Sequence, residues 1–490
     1  MLSRTHPGTA AARALDPRIA VGALLTVYVA IAIAPVAIAY ALPVKSRPFL
    51  DELSSGMAMA GFSMLLMEFI TSGRFRAVSA PVGIDLMMSF HQLVARVLTV
   101  FLLLHPFLYT LPMTAARVPW DTDGALALGM TPWSLASGFA AWGLLAALFG
   151  LAWFREGSGM RYETWRGLHG AGAGLIALFG LHHTLDAGRY ADAPHLAAFW
   201  AMAVAVAFGA LAWIHVVRPL YQARHAWRLS RSERIAERTW LLRVEPAGAP
   251  TFRFRAGQFV WLKFHRALGR ITEHPFSISS APGALPAVEF MVKESGDFTR
   301  TVGSLPLGTP AYLHGPHGNF TLEGRRGKGI AFIAGGVGIA PVMSMLRELR
   351  RARDPRPLIL VYGNRVEAQI AYRDELQAMR EELRLELSFV LGEPPPGWQG
   401  PRGQLDAQTL QPLLPREERD AWLYVVCGPP PVIDSVERVL DDRGVPLGQI
   451  VSERFGYELA ALTRRGRLVL GVCAAVVAAI AAGIAAFALR

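Results

Sequence analysis

Six apolar stretches, at residues 19 to 42, 53 to 72, 81 to 112, 133 to 154, 165 to 184 and 194 to 218, alternate with short polar segments. Each supplies the roughly 20 residues, at 1.5 Å rise, that a helix needs to cross a hydrocarbon layer. The pattern predicts a six-helix membrane bundle over 19–218. From about residue 222 the period changes. FRFRAGQFVWLKF and AVEFMVKE alternate like half-buried strands, and from GIAFIAGGVGIAPVMSMLRELR onward apolar strands alternate with amphipathic helices. This predicts an antiparallel β-barrel over 222–323, then a parallel α/β domain over 328–457. A last apolar stretch at 468 to 489 follows Arg464, Arg465 and Arg467 and predicts a seventh membrane helix over 466–489.

Composition supports a membrane half. Of 490 residues, 52% are hydrophobic, more than an ordinary soluble domain carries. The net charge of +11 comes mainly from arginines that sit beside the apolar stretches. They cluster before helix one (Arg4, Arg13, Arg18), between helices two and three (Arg74, Arg76), between four and five (Arg155, Arg161, Arg166) and after six (Arg218, Arg224, Arg228, Arg231). The positive-inside rule places all four regions in the cytoplasm, with residues 1–18 as a cytoplasmic segment. Loops 43–52, 113–132 and 185–193 then face outward, as in the inner or plasma membrane of a bacterium. AIAYA resembles a signal cleavage site, but the stretch before it is too long and holds Pro35, so an uncleaved span is expected. No basic run is interleaved with aromatics, which argues against nucleic acid as a partner. The two cysteines, Cys427 and Cys473, lie in a soluble motif and an apolar helix and make neither a disulfide framework nor a thiolate metal site.

Any metal must therefore be held by histidine or within a cofactor. His91 and His105 lie on predicted helix three; His169, His182 and His183 lie on predicted helix five. A step of 14 residues turns a helix through about 1400°, roughly 40° short of whole turns, so His91 and His105 share a face about 21 Å apart along the axis. Helices three and five run in the same direction. Two bis-histidine b-type haems stacked through the bilayer fit this spacing, with His91 opposite His169 and His105 opposite His182 or His183. Helical phase favours His183, 14 residues after His169; the 13-residue step to His182 needs a local bulge. A single membrane histidine more often bonds a neighbouring helix, but burying matched pairs without a ligand is costly. Glu68, near the inner end of helix two, is expected to pair with Arg74 or Arg76, the alternative being to orient a cofactor.

Two further groups of motifs carry chemistry. HPFSISS at 274–280 sets His274, Pro275, Phe276 and Ser277 in one extended segment, with a ring to lie on an isoalloxazine, a hydroxyl near its reactive nitrogen and an imidazole near a phosphate. GDFTR, from Gly296 to Arg300, opens a predicted helix whose N-terminus, with Thr299, suits a phosphate. GGVGIAP at 335–341 lies between a strand and a helix. Its Gly335, Gly336 and Gly338 let the backbone approach a pyrophosphate and Pro341 suits the first helical turn. Cys427, Gly428 and Pro429 end another strand at the same sheet edge. Arg365, at the end of VYGNR, stands where a 2′-phosphate would be met, which leans toward NADPH over NADH.

With HPFS, GDFT, GGVGIAP, CGP and SERF (452–455) in order, residues 222–457 resemble the ferredoxin-NADP reductase superfamily. Together with the histidine pairs and RYETWRGLH before His169, residues 19–457 resemble the NADPH oxidase and ferric reductase family. The resemblance implies FAD at His274, Pro275, Phe276, Ser277 and Thr299, nicotinamide dinucleotide at Gly335, Gly336, Gly338, Cys427 and Gly428, and haem at His91, His105, His169 and His182, since relatives use the 13-residue step. It implies electron flow from cytoplasmic NAD(P)H through FAD and two haems to an outer acceptor. That acceptor is dioxygen first, with a ferric chelate or a partner protein or quinone as alternatives. Ser277, Phe276, Cys427 and Phe455 would line the hydride-transfer site, Phe455 or Tyr457 stacking on the flavin. One departure bears on the acceptor: animal oxidases carry a further histidine one turn after the outer ligand of helix three, where this chain has Tyr109. The chain has no EF-hand loop.

Overall fold

The computed structural model describes residues 17–79, 82–109, 131–186, 190, 192–248, 252–265, 273–415, 421–454 and 464–490. The predicted helices form as α1 (Pro17–Tyr40), α2 (Phe49–Thr71), α3 (Ile84–Leu108), α4 (Pro132–Trp153), α5 (Tyr162–Asp186) and α6 (Pro194–Ala212). Helix α4 starts where the Thr131 hydroxyl accepts from Ser134 N at 3.1 Å and Pro132 takes the first position, whose N–H would be orphaned anyway. Helix α6 passes through a π-helical turn, Trp213–Val217, into Arg218–Arg224 and so delivers Arg218 below the bundle.

Among the described residues six helices are long and apolar enough to cross a membrane, but the set differs from expectation. The segment Arg467–Ala488 is one of them, whereas α5, which carries His169, His182 and His183 among many glycines, is not. Helix α2 forms the centre of the bundle, with most of its residues buried against neighbouring helices. Small residues make that packing possible: a Cβ on Gly61 would lie 3.0 Å from Leu102, and one on Gly180 of α5 would lie 2.6 Å from Phe62.

Beyond α6 lies a six-stranded antiparallel sheet of β1 (Trp227–Ala236), β2 (Thr239–Pro246), β3 (Phe259–Phe264), β4 (His274–Ser277), β5 (Val288–Lys293) and β6 (Pro310–His317), in the order β4-β3-β6-β1-β2-β5. Its edge strands meet at an antiparallel bridge between Ile278 and Phe290. A five-stranded parallel sheet follows, of β7 (Gly329–Gly335), β8 (Leu358–Asn364), β9 (Leu385–Leu391), β10 (Trp422–Gly428) and β11 (Ile450–Arg454), ordered β11-β10-β7-β8-β9. The chain moves from β7 outward through β8 and β9, then returns to the other side of β7. The switch point between β7 and β10 is where open α/β sheets bind ligands. The last helix, Arg464–Ala488, returns to the bundle, and its Val476, Ile480, Ile484 and Phe487 share one buried core with α1, α2 and α6.

Candidate functional site

At the switch point, GGVGIAP leaves β7 through a short 3₁₀ turn, Gly336–Gly338, into a helix, Ile339–Ala352. Gly336 has φ +51, a conformation that favours glycine, and a Cβ there would meet nothing within 4 Å. Gly338 has the opposite constraint. A Cβ on it would lie 2.1 Å from the Cys427 carbonyl oxygen, so the two loops pack backbone on backbone. Pro341 falls in the first helical turn, as expected, and Pro429 precedes the helix Pro430–Asp442. Cys427 is fully buried, and burial, with Glu453 adding to it, pushes its thiol well above the ordinary range. It lies at this edge as a neutral side chain. Arg365 follows β8, is 65% exposed, and lies 3.7 Å from Glu393. These residues fit a nucleotide: open backbone at Gly336, and an exposed guanidinium one strand away.

The flavin motif sits on β4. The His274 ring stacks on Phe298 at 4.2 Å and 16°, and Phe276 lies 6.2 Å from the same ring. Pro275 is exposed beside them. Among the described residues the Ser277 hydroxyl is buried without a hydrogen-bond partner, as a polar atom aimed at a ligand would be. Burial is the main cause that holds the His274 imidazole below its ordinary value, so it meets a ligand as a neutral ring. Thr299 lies in the turn that the GDFTR motif forms. Its helix, Asp297–Thr301, has five residues, and its hydroxyl accepts from Ser295 N and Gly296 N, both at 2.8 Å, and donates to the Gly296 carbonyl, so it closes its own turn. Phe455 and Tyr457 lie outside the described residues.

Between the flavin motif and the nucleotide loop stands a residue that sequence reasoning missed. Arg347, on the helix after GGVGIAP, donates to both Glu375 oxygens at 2.7 Å, to Glu289 at 2.9 Å and to the Ser279 carbonyl at 2.9 Å. Ser344, one turn earlier, donates to the Ser280 carbonyl at 2.6 Å. Helical spacing alone shows Arg347 as a surface residue of an amphipathic helix; its partners come from β5 and from residues 279 and 375.

A second missed group joins the flavin motif to the bundle. Glu273, immediately before His274, accepts from Arg218 at 2.6 and 2.8 Å and from Arg74 at 3.0 Å. The Arg74 guanidinium lies 3.6 Å over the Trp261 ring of β3. All three charged groups are buried. His274 Nε2 lies 3.7 Å from Glu163, at the start of α5. Burial raises the Glu273 carboxyl, but Arg218, Arg74 and Arg166 together outweigh it and hold it below the usual range.

Within the bundle, the histidines are held mainly through their Nδ1 atoms. His91 Nδ1 bonds Glu68 at 2.5 Å, His105 Nδ1 the Leu102 carbonyl at 2.6 Å, His182 Nδ1 the Ser137 hydroxyl at 2.9 Å and His183 Nδ1 the Ser134 carbonyl at 2.8 Å. Each bond leaves Nε2 available to a haem iron. His169 stacks on Trp165 at 5.2 Å, and its Nδ1 is buried without a hydrogen-bond partner. This donor set fits bis-histidine haem. Among the described residues no group of three or more histidine, cysteine or carboxylate side chains is placed to hold a bare metal ion. His182 and His183 differ in setting: His182 is exposed, whereas His183 is wedged where a Cβ on Gly138 would lie 2.6 Å from its ring. Glu68 corrects its expected pairing. It bonds His91, Tyr28 and Thr71, because Arg74 is turned away to Glu273.

Three family models match this architecture: ferric reductase like transmembrane component over residues 57–181, FAD-binding domain over 238–313 and oxidoreductase NAD-binding domain over 332–438. Ferredoxin–NADP reductase B of Sorangium cellulosum is 33% identical over 223 residues, covering 44% of this chain and 90% of that protein. The chain belongs to the ferredoxin–NADP reductase family. NADH-cytochrome b5 reductase 1 of Laccaria bicolor is 33% identical over 184 residues, 36% of this chain and 59% of the relative, so the chain spans about three fifths of that protein's length. The solved cytochrome b5 reductase domain of Ulva prolifera nitrate reductase aligns over 47% of this chain and 98% of that one, at 22% identity and a TM-score of 0.42. The ferredoxin–NADP reductase module follows a ferric-reductase-like membrane domain, which is the NADPH oxidase and ferric reductase architecture. The chain is a membrane oxidoreductase with FAD-binding and NAD-binding domains.

Proposed function

We propose that the protein moves electrons from cytoplasmic NAD(P)H, through FAD and two b-type haems, to an acceptor on the outer face. The observation that carries this reading is the clamp at Glu273. Arg74, just past α2, and Arg218, just past α6, hold the residue that opens the flavin motif, and His274 lies against Glu163. Glu163 and His169 are six residues apart on α5, about 9 Å along the axis. The flavin motif is thereby docked at the end of the bundle where the first histidine pair sits.

When bound, FAD supplies the exchange between a hydride and single electrons, and haem carries single electrons across the bilayer. The chain's own residues bind and orient. Gly335, Gly336, Gly338, Gly428 and Arg365 would receive the dinucleotide; His274, Phe276 and Ser277 would receive the flavin, with Phe455 or Tyr457, both outside the described residues, as the aromatic to stack on it; His91 and His169 would hold the inner haem and His105 and His182 the outer one. Both rings have a bonded Nδ1, and exposed His182 is freer to ligate than His183, wedged beside Gly138. In this reading 1–18 is cytoplasmic, 19–218 binds haem, 222–323 binds FAD, 328–457 binds NAD(P)H and 466–489 is a seventh span. Dioxygen is the favoured acceptor and a ferric chelate the alternative. At the position of the animal oxidases' additional histidine, the Tyr109 hydroxyl bonds Ser55 at 2.8 Å.

The visible spectrum of detergent-purified protein, with haem and FAD quantified per chain before and after anaerobic NADPH, tests this. Two haems per chain, reduced by NADPH and reoxidised by air, are expected. Flavin reduction without haem would sink it.

A further inference from the structure

Four of the five candidate ligands have a hydrogen-bonded Nδ1, and the partners are not equivalent. His105 and His183 use backbone carbonyls and His182 a serine hydroxyl, all neutral. His91 alone among the four uses a carboxylate, Glu68, at 2.5 Å. That carboxylate is buried, near the inner end of α2. Its Oε1 accepts from the Tyr28 hydroxyl at 3.0 Å, and its Oε2 accepts from the Thr71 hydroxyl at 2.8 Å as well as facing His91. Both oxygens of this side chain are thus engaged by hydroxyls from neighbouring residues. Two helices besides its own therefore fix where it points: α1 through Tyr28 and α3 through His91.

We infer that Glu68 is a positioning residue that lowers the potential of the inner haem below that of the outer one, so that electrons run downhill from the flavin side outward. This rests on the proposed two-haem pathway. The physical reason is that a carboxylate accepting the Nδ1 proton gives the imidazole partial imidazolate character and makes Nε2 a more basic ligand. A more basic axial ligand stabilises ferric over ferrous iron, and second-shell hydrogen bonding is one of the levers by which a protein sets haem potential. The outer histidines, bonded to a neutral carbonyl and a hydroxyl, lack this anionic push. An ionisable side chain within a membrane bundle is a functional candidate by default.

The test is an anaerobic redox titration of the full chain in detergent, followed by the haem absorption bands, with haem counted per chain. Wild type should titrate in two steps. In Glu68→Gln, which keeps an acceptor but removes the charge, the lower step should move upward toward the other while the higher step stays. In Tyr28→Phe, which removes a donor competing for the same carboxylate, the lower step should move further down. Opposite shifts confined to one step support the inference. If two haems load and neither variant moves the lower step, or both move it in one direction, the inference is overturned. Should Glu68→Gln fail to load haem, Tyr28→Phe with Thr71→Val decides, both expected to lower the same step. Wild-type protein without haem would instead overturn the pathway itself, a result distinct from unmoved potentials.

Discussion

Arg218 donates two hydrogen bonds to Glu273, at 2.6 and 2.8 Å, and so ties the end of the sixth membrane helix to the residue before the flavin motif. With Arg74 on the same carboxylate, two buried cations share one buried anion. Removing the anion is costlier than removing one cation, because it leaves both uncompensated. Glu273→Ala should cost about 3–5 kcal/mol of stability. Thermal unfolding in detergent checks the magnitude. In stopped flow, NADPH should still reduce the flavin while reduction of haem slows.

The same pair sets a pH dependence. The Glu273 carboxyl lies below its ordinary value of 4.5 in the folded protein, so its contribution is complete above 4.5 and is lost as pH falls through the lower folded value. His274, held below its ordinary 6.5 chiefly by burial, acts in the same direction: the fold is stabilised with the ring neutral and weakens as pH drops below 6.5. The melting temperature should fall in two stages on acidification. His274→Gln should remove the upper stage and Glu273→Gln the lower; unchanged profiles would refute the assignment.

Gly338 leaves no room for a methyl group, since the obstruction is the Cys427 backbone itself. Gly338→Ala should part the two loops at the switch point and weaken NADPH binding by about tenfold or more, equivalent to about 1.4 kcal/mol. Equilibrium titration of flavin-loaded protein reads this directly, and haem content should not change.

Arg365 makes an exposed pair with Glu393, and such pairs contribute about 0–1 kcal/mol. Arg365→Ala should leave the melting temperature within a degree or so while lowering kcat/KM for NADPH by about tenfold relative to NADH, a difference of about 1.4 kcal/mol. Equal losses with both nucleotides would place the 2′-phosphate elsewhere.

His182 and His183 are distinguished by single substitutions. His182→Ala should remove one haem per chain and leave the other. His183→Ala should keep both haems and destabilise the contact with α4, where the ring now fills the space beside Gly138. The reverse pattern would assign the outer haem to His183.

The periodicity of the chain marks its long helices and the strands of both sheets. Apolar runs of about 20 residues have few options besides a membrane helix, and strand alternation next to glycine-rich turns marked both sheets, because backbone hydrogen bonding and burial impose those periods locally. The matched phase of His91 and His105, and the two loops at the edge of the parallel sheet, were likewise visible as spacings. What the spacing of residues could not show was which charges meet. Glu68 was expected beside Arg74 because the two are close in sequence and on one helix end, yet Arg74 is drawn to Glu273, 199 residues away, and Glu68 turns inward to His91. The hydroxyl of Thr299 also closes its own turn, a bond the motif alone does not show. Buried ion pairs and hydrogen bonds depend on which helices and strands pack side by side, and their partners lie at sequence separations that no local period encodes. Tertiary packing therefore decided how the flavin motif is docked onto the bundle, and which histidine has a carboxylate behind it.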